Sequence, residues 1–290
     1  MPKAKRHHFV PRFLIRNFCN TDGYVWYYDR TRPLKSVEQR TPEGVHWKRH
    51  IYSVRRPDDS YQPVLEAAYQ NAETGWADLI DRILEIVRMG RLPRLDSAAR
   101  HALSDFFVHQ HLRVPDFWTS IPTANLSPSE LREEMLSRAF EEGGKEEVAR
   151  IKSYEFTDRE LLDIQYNARI KALSFSNQPL IDILNRKDLF FAISKNSKKS
   201  FVLGSSAVTS WGGDDGSYFL PDRQAGVALP LSQDVLMGFA GDGGQIHKID
   251  IEDESSIRSF NEIVWKQSSA ICARDKRLVE SVTRDSRKLI

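Results

Sequence analysis

The sequence has few cysteines and no long apolar run. Its two cysteines, Cys19 and Cys272, are too few for a disulfide framework or a four-cysteine zinc site. No stretch approaches the roughly 18 uninterrupted apolar residues that a membrane helix requires. The basic start of the chain runs into His7, His8 and Pro11, where a signal peptide would have its apolar region. We therefore expect a cytoplasmic protein with reduced thiols and no membrane partner.

Motifs of the common enzyme classes are also missing. The sequence contains no Walker-type phosphate loop, no dinucleotide fingerprint, no zincin helix motif and no zinc-ribbon spacing. The segment Gly204-Ser205-Ser206-Ala207 lacks the second glycine of a nucleophile elbow. These absences disfavour the common hydrolases, kinases and dehydrogenases, and the sequence identifies no metal site and no cofactor.

The charge of the chain is ordinary in total but uneven along its length. Apolar residues make up 40% of the 290 residues and charged residues 28%, as in a globular protein, and the net charge is +2. Residues 1–56 hold 13 lysines and arginines but only four acidic residues, a net charge of +9, whereas the remainder carries −7. A basic segment of this kind attracts phosphates and polyanions.

Aromatic residues are interleaved with these basic residues: Phe9, Phe13, Tyr24, Trp26, Tyr27, Tyr28, Trp47 and Tyr52. Basic and aromatic side chains together are typical of proteins that bind single-stranded nucleic acid. The alternative is that the basic segment packs on the acidic remainder with its aromatic residues in the core. The sequence favours this alternative, because aromatic residues in strands are usually buried.

Turn residues and hydrophobic periodicity divide the chain into four regions. The basic N-terminal segment 1–56 is typical of a short helix followed by short strands, and residues 62–187 carry helical periodicity with two capping boxes. Residues 188–250 show strand patterns, and 254–283 form one continuous amphipathic pattern that predicts a closing helix. We predict a single α+β domain over residues 1–290. It has a helical bundle core, a small N-terminal antiparallel sheet and a C-terminal antiparallel sheet, closed by a C-terminal helix.

Gln110 is predicted on the apolar face of a helix, where an amide without partners costs about 1–3 kcal/mol. Arg113 flanks the same face, and Asn261 occupies a similar inward position in the last helix. Such groups either fasten core backbone or line a polar pocket. They would form one site only if the two helices pack together.

His7, His8, Arg12 and Arg16 form the densest cluster of ionisable residues. One histidine would act as a general base near neutral pH while an arginine holds a phosphate. Alternatively, both histidines hydrogen-bond and fix the N-terminal segment to the core. Adjacent residues of an extended chain point in opposite directions, so the pair is not expected to chelate one metal.

Residues 7–18, with the sequence HHFVPRFLIRNF, resemble the start of the bacterial family named domain of unknown function 4238. The likeness continues through strand 25–29, Gln110-x-x-Arg113-x-Pro115, Pro230-Leu231-Ser232 and Asn261. It runs nearly from end to end. The resemblance implies an architecture and a candidate site but no reaction, because the family is functionally uncharacterised.

One departure from the family concerns Ser205. The family has a Ser-Asp-x-Pro pattern where this chain has Gly204-Ser205-Ser206-Ala207. If that aspartate is catalytic or binds a metal in relatives, Ser205 cannot replace its charge. The resemblance then implies a chain that binds without turnover, or a site that uses Asp214 or Asp215 instead.

Two functional hypotheses follow. In the first, the protein recognises a phosphate-containing ligand, and nucleic acid is the ligand that the sequence favours. The protein would then be a nuclease-like effector of bacterial defence or mobile elements. Its catalytic candidates are His7, His8 and Gln110, and its ligand-binding candidates are Arg12, Arg113, Ser205 and Asn261. In the second, the protein is a non-enzymatic interaction protein whose polar cluster is structural. The sequence does not specify an oligomeric state.

Overall fold

The computed structural model describes residues 6–32, 36–120, 126–174, 177–195, 199–212 and 224–284. These residues confirm the α+β class, with a helical core and antiparallel sheets. No helix among them is both long enough and apolar enough to span a bilayer.

Residues 6–63 fold into short elements, as predicted for the basic N-terminal segment. They are β1 (Arg6–His8), α1 (Arg12–Arg16), β2 (Val25–Asp29), β3 (Glu38–Arg40), β4 (Trp47–Arg49), β5 (Ser53–Arg55) and β6 (Tyr61–Pro63). A single 3-10 turn, Pro42–Gly44, precedes β4. Strand β1 pairs with β4 in an antiparallel ribbon, and β5 pairs with β6 in another.

The helical region contains α2 (Glu66–Arg88), α3 (Ser97–Leu112), α4 (Pro115–Ser120), α5 (Pro128–Ser153), α6 (Asp158–Ser174) and α7 (Gln178–Arg186). Asp96 caps α3 by accepting a hydrogen bond from the Ala99 N–H, and Ser127 and Glu130 form the predicted capping box of α5. The apolar stripes of α2 and α3 face each other and bury Trp76 and Phe106, whose rings lie 5.3 Å apart. This contact places α3 in the centre of the core.

The C-terminal third contains β7 (Asp188–Ser194), β8 (Leu203–Gly204), β9 (Thr209–Trp211), β10 (Gly226–Pro230), β11 (Val235–Ala240), β12 (Ile246–Ile251), α8 (Glu254–Gln267), β13 (Ala270–Ala273) and α9 (Lys276–Val282). Five strands form one sheet in the order β12-β7-β11-β10-β9. All of its pairs are antiparallel except β12 with β7, which is parallel. The predicted antiparallel C-terminal sheet is therefore present, with one parallel edge strand.

The predicted closing helix over 254–283 is wrong in its middle. Strand β13 separates α8 from α9, and all four of its residues are buried. It pairs with β2 on one side and with β8 on the other, within an antiparallel sheet of order β3-β2-β13-β8. An apolar run buried on both faces satisfies its backbone through two neighbouring strands, so sheet pairing replaces the helix here.

Candidate functional site

Gln110 and Arg113 meet at the backbone of the N-terminal segment. Both side chains are 1% exposed, and they lie on the inward face at the end of α3, three residues apart. The Gln110 Nε2 and the Arg113 Nε each donate to the carbonyl oxygen of Phe9, both at 2.8 Å. Phe9 directly follows β1, so the two side chains fasten the first strand to the helical core.

The charge of Arg113 is compensated inside the protein. Its Nη1 donates to the Glu73 carboxylate at 2.7 Å, and its guanidinium lies 5.2 Å from the centre of the Tyr69 ring. Within the described residues, the Gln110 Oε1 and the Arg113 Nη2 have no hydrogen-bond partner. Arg113 is thus held by a carboxylate, an aromatic face and a main-chain carbonyl at once.

His7 lies in the same buried cluster and is 3% exposed. Its Nδ1 accepts a hydrogen bond from the Tyr52 N–H at 3.2 Å, and its ring stacks on the Tyr52 ring at 5.5 Å. Its Nε2 lies 3.7 Å from the Glu66 carboxylate. One ring nitrogen is therefore bonded to the main chain, and the structure brings His7, Gln110 and Arg113 together around β1.

His8 and Arg12 lie on another side of the N-terminal segment. Burial, and then the nearby Arg12 guanidinium, lower the pKa of the half-buried His8 below its ordinary value. Arg12 is exposed and forms an ion pair with Glu43. The lowered pKa favours the neutral imidazole of His8, and Arg12 pairs with Glu43 rather than with a residue of the cluster that contains Arg113.

Asn261 fastens a different segment of backbone. Its Oδ1 accepts from the Val202 N–H at 3.0 Å, and its Nδ2 donates to the Ser200 carbonyl at 2.9 Å. The side chain is 2% exposed. Asn261 thus shares no hydrogen-bond partner with Gln110 or Arg113, and each amide holds its own segment of backbone.

Ser205 is a buried junction between three elements. Its hydroxyl donates to the Asp116 carboxylate of α4 and accepts from the N–H groups of Ser269 at 2.9 Å and Ala270 at 3.0 Å. A carboxylate therefore lies beside the position where the family pattern has an aspartate, although it comes from another helix. The alternative candidates Asp214 and Asp215 lie outside the described residues.

A cavity of about 340 Å³, called here the basic groove, opens beside the β1–β4 ribbon. The sequence did not identify it. Its cations are Arg6, Arg32, Arg40, Lys48 and Arg49, and its acidic residues are Asp29 and Glu38. Tyr27, His46 and Trp47 line it as well. The groove joins strands that are about 40 residues apart in the chain, so no local pattern signals it.

Two of the five cations in the basic groove are neutralised by its own acidic residues. Arg40 forms an ion pair with Glu38, and the Arg32 Nε lies 3.8 Å from the Asp29 carboxylate. The other three, Arg6, Lys48 and Arg49, form no ion pair with any carboxylate in the described part of the chain. The groove therefore carries an excess of positive charge.

Arg6 and Arg49 are directly opposite each other in the ribbon. The Arg6 guanidinium lies over the Trp47 ring, 4.4 Å from its centre. Like charges in opposed positions of an antiparallel pair destabilise it. The ribbon thus holds two cations where an anion would stabilise the pair.

His46 is a buried neutral residue at the same groove. It is 2% exposed, and neither of its ring nitrogens has a hydrogen-bond partner among the described residues. Burial, and then the nearby His8, lower the pKa of His46 to about 3. The imidazole therefore adds no charge at neutral pH.

The comparisons with known proteins agree with the resemblance seen in the sequence. The family described as "protein of unknown function (DUF4238)" matches the chain over residues 6–277. Neither the curated proteins nor the solved structures contain a match. The match begins at β1 and reaches α9, so it spans the buried cluster, the basic groove and both large sheets. The chain therefore belongs to the DUF4238 family.

Proposed function

We propose that the protein binds nucleic acid in the basic groove, through the phosphates of the nucleic-acid backbone. The observation that carries this proposal is the opposed pair Arg6 and Arg49, which has no carboxylate partner among the described residues. A phosphate between the two guanidinium groups would accept hydrogen bonds from both and remove their mutual repulsion.

The aromatic residues of the groove favour a nucleic acid over an isolated phosphate. Trp47 and Tyr27 line the same cavity as the three cations. Bases stack on aromatic side chains whatever their identity, while a row of cations follows the backbone. A groove with both features fits an extended single strand better than a duplex.

Binding without cleavage is the activity that the geometry supports best. His7 and Gln110 hold main-chain groups of the N-terminal segment and are buried away from solvent. This arrangement supports the hypothesis of a non-enzymatic interaction protein with a structural polar cluster. A nuclease-like role in bacterial defence or mobile elements stays a prediction.

The test is binding of fluorescein-labelled single-stranded RNA and DNA, followed by anisotropy between 50 and 200 mM salt, with and without Mg²⁺. The double variant Arg6→Gln/Arg49→Gln should weaken binding about tenfold or more and flatten the salt slope by about 1.4, because two phosphate contacts are lost. The matched control is Arg91→Gln/Arg94→Gln, which removes the same charge from exposed positions outside the groove.

Wild-type protein that shows no salt-sensitive binding would refute the proposal. Equal loss of affinity in both double variants would show that binding depends only on the net charge of the protein, which would refute a site at Arg6 and Arg49. Shortened oligonucleotides in the Mg²⁺ samples would instead support the nuclease hypothesis.

A further inference from the structure

A second cavity, of about 720 Å³, lies between α4, α5, α6 and β4. Its volume falls within the range of small-molecule sites. Much of its lining is apolar, with Trp118, Leu131, Met135, Leu162, Ile164 and Ala168 contributed by the three helices. Leu162 and Ile164 are 44% and 39% exposed, so part of the apolar lining is accessible to solvent. We call this space the helical cavity.

Two of the four cations of the helical cavity are neutralised by neighbouring carboxylates. The Arg55 Nη1 lies 3.1 Å from the Asp163 carboxylate, and the Arg138 Nε lies 2.7 Å from the Glu134 carboxylate. These two arginines need no ligand for charge balance.

The other two cations, Lys48 and Arg169, repel each other. Neither forms an ion pair with a carboxylate in the residues that the structure describes. Burial, and then the nearby charge of Arg169, lower the pKa of Lys48, and the negative charge of Asp116 opposes this change. Burial likewise lowers the pKa of Arg169. Two cations that line one cavity repel each other unless an anion joins them.

The Arg169 guanidinium is held in place by the main chain, and one of its N–H donors is not used. One Nη donates to the carbonyl of Ile51, and the guanidinium lies 5.9 Å from the centre of the Tyr166 ring. The Nε is buried and has no hydrogen-bond partner in the described part of the chain. The guanidinium is thus fixed by the main chain while one of its donors remains unused.

We propose that the helical cavity binds a small amphipathic organic anion, with its carboxylate between Lys48 and Arg169 and its apolar body against Trp118, Met135 and Leu162. The carboxylate would accept hydrogen bonds from both cations and remove their repulsion. The apolar lining would then bury the unbranched or aromatic hydrocarbon part of the ligand away from water. Lys48 lines both cavities, but this inference does not rest on nucleic-acid binding, because Arg169 and the helical residues lie outside the basic groove.

Isothermal titration of the full chain with decanoate tests the proposal, with 1-decanol and adenosine monophosphate as comparison ligands. Decanoate should bind at one site, and decanol, which has a body of the same length without the charge, should bind at least tenfold more weakly. Binding of decanol as tight as that of decanoate would refute the role of the two cations. Binding of adenosine monophosphate alone would refute the apolar specificity.

Variants locate the site. Lys48→Met changes an exposed side chain and should fold normally, yet weaken decanoate binding about tenfold. Ala168→Trp should abolish binding by filling the cavity, and its melting temperature shows whether the fold persists. The double variant Arg6→Gln/Arg49→Gln should bind decanoate like the wild type, which separates this site from the basic groove. Wild-type decanoate affinity in both Lys48→Met and Ala168→Trp would overturn the proposal.

Discussion

Gln110 and Arg113 donate to one carbonyl oxygen, but their removal leaves different groups behind. Without Gln110, the Phe9 carbonyl keeps the Arg113 Nε as its donor. Without Arg113, the Glu73 carboxylate loses its cation in a position where only about a quarter of its side chain is exposed. A charge that loses its partner costs more than a neutral amide that already has one unbonded oxygen.

We therefore expect Arg113→Met to lower the free energy of unfolding by about 3 kcal/mol and Gln110→Met by about 1 kcal/mol or less. Urea unfolding followed by circular dichroism measures both. Folded Gln110→Met should bind oligonucleotides like the wild type. Lost binding in a stable Gln110→Met variant would instead make Gln110 part of a functional site.

The inward positions of these polar residues were predictable, but their partners were not. Helical periodicity placed Gln110 on the apolar face of α3, and the residue is buried there. The partner of Gln110 is a main-chain carbonyl about 100 residues away, which no local pattern specifies. The same limit applies to Arg6 and Arg49, whose opposition arises only when β1 pairs with β4.

At the scale of elements, the least predictable feature is the approach of α8 to β8. A Cβ atom at Gly204 of β8 would contact the Ser268 hydroxyl and lie 2.8 Å from Val264 Cγ1, so only glycine fits between the strand and α8.

Apolar periodicity over 254–283 predicted one helix because α8 and α9 share that period, and the short buried strand between them continues it by chance. Four buried residues are too few to distinguish a strand from a helical turn.

We expect Gly204→Ala to lower the free energy of unfolding by about 1–3 kcal/mol, because the new methyl group overlaps its neighbours. Gly75 in the middle of α2 is the matched control, since a Cβ there meets nothing within 4 Å. Gly75→Ala should raise the free energy of unfolding by about 0.5–1 kcal/mol through helix propensity. Thermal or urea unfolding measures both, and a neutral Gly204→Ala would show that α8 can move away.

For the whole molecule, two neutral histidines, the buried His46 and the half-buried His111, link stability to pH. Burial lowers the pKa of His46 to about 3 and that of His111 to about 4. The unfolded chain takes up protons on these residues below pH 6.5, whereas the folded chain does not. Stability is therefore complete above about pH 6.5 and is lost as the pH falls towards these lowered values.

Between pH 7.5 and pH 5, each histidine should reduce the free energy of unfolding by up to about 2 kcal/mol. The double variant His46→Asn/His111→Asn should show a smaller loss over this range, even if it is less stable at pH 7.5. His101→Asn, at an exposed position of α3, is the control and should retain the wild-type pH dependence. Urea midpoints at the two pH values provide the measurement, and equal pH dependence in all three proteins would contradict the prediction.

The position of β13 between β2 and β8 constrains how the protein folds during synthesis. Strand β2 leaves the ribosome about 240 residues before β13 is made. At translation rates of about 5–20 residues per second, this interval lasts roughly 10–50 s. During that time β2 has one edge without its final neighbour, and an unpaired edge promotes aggregation. The nascent chain should therefore depend on chaperones until its last strand is inserted.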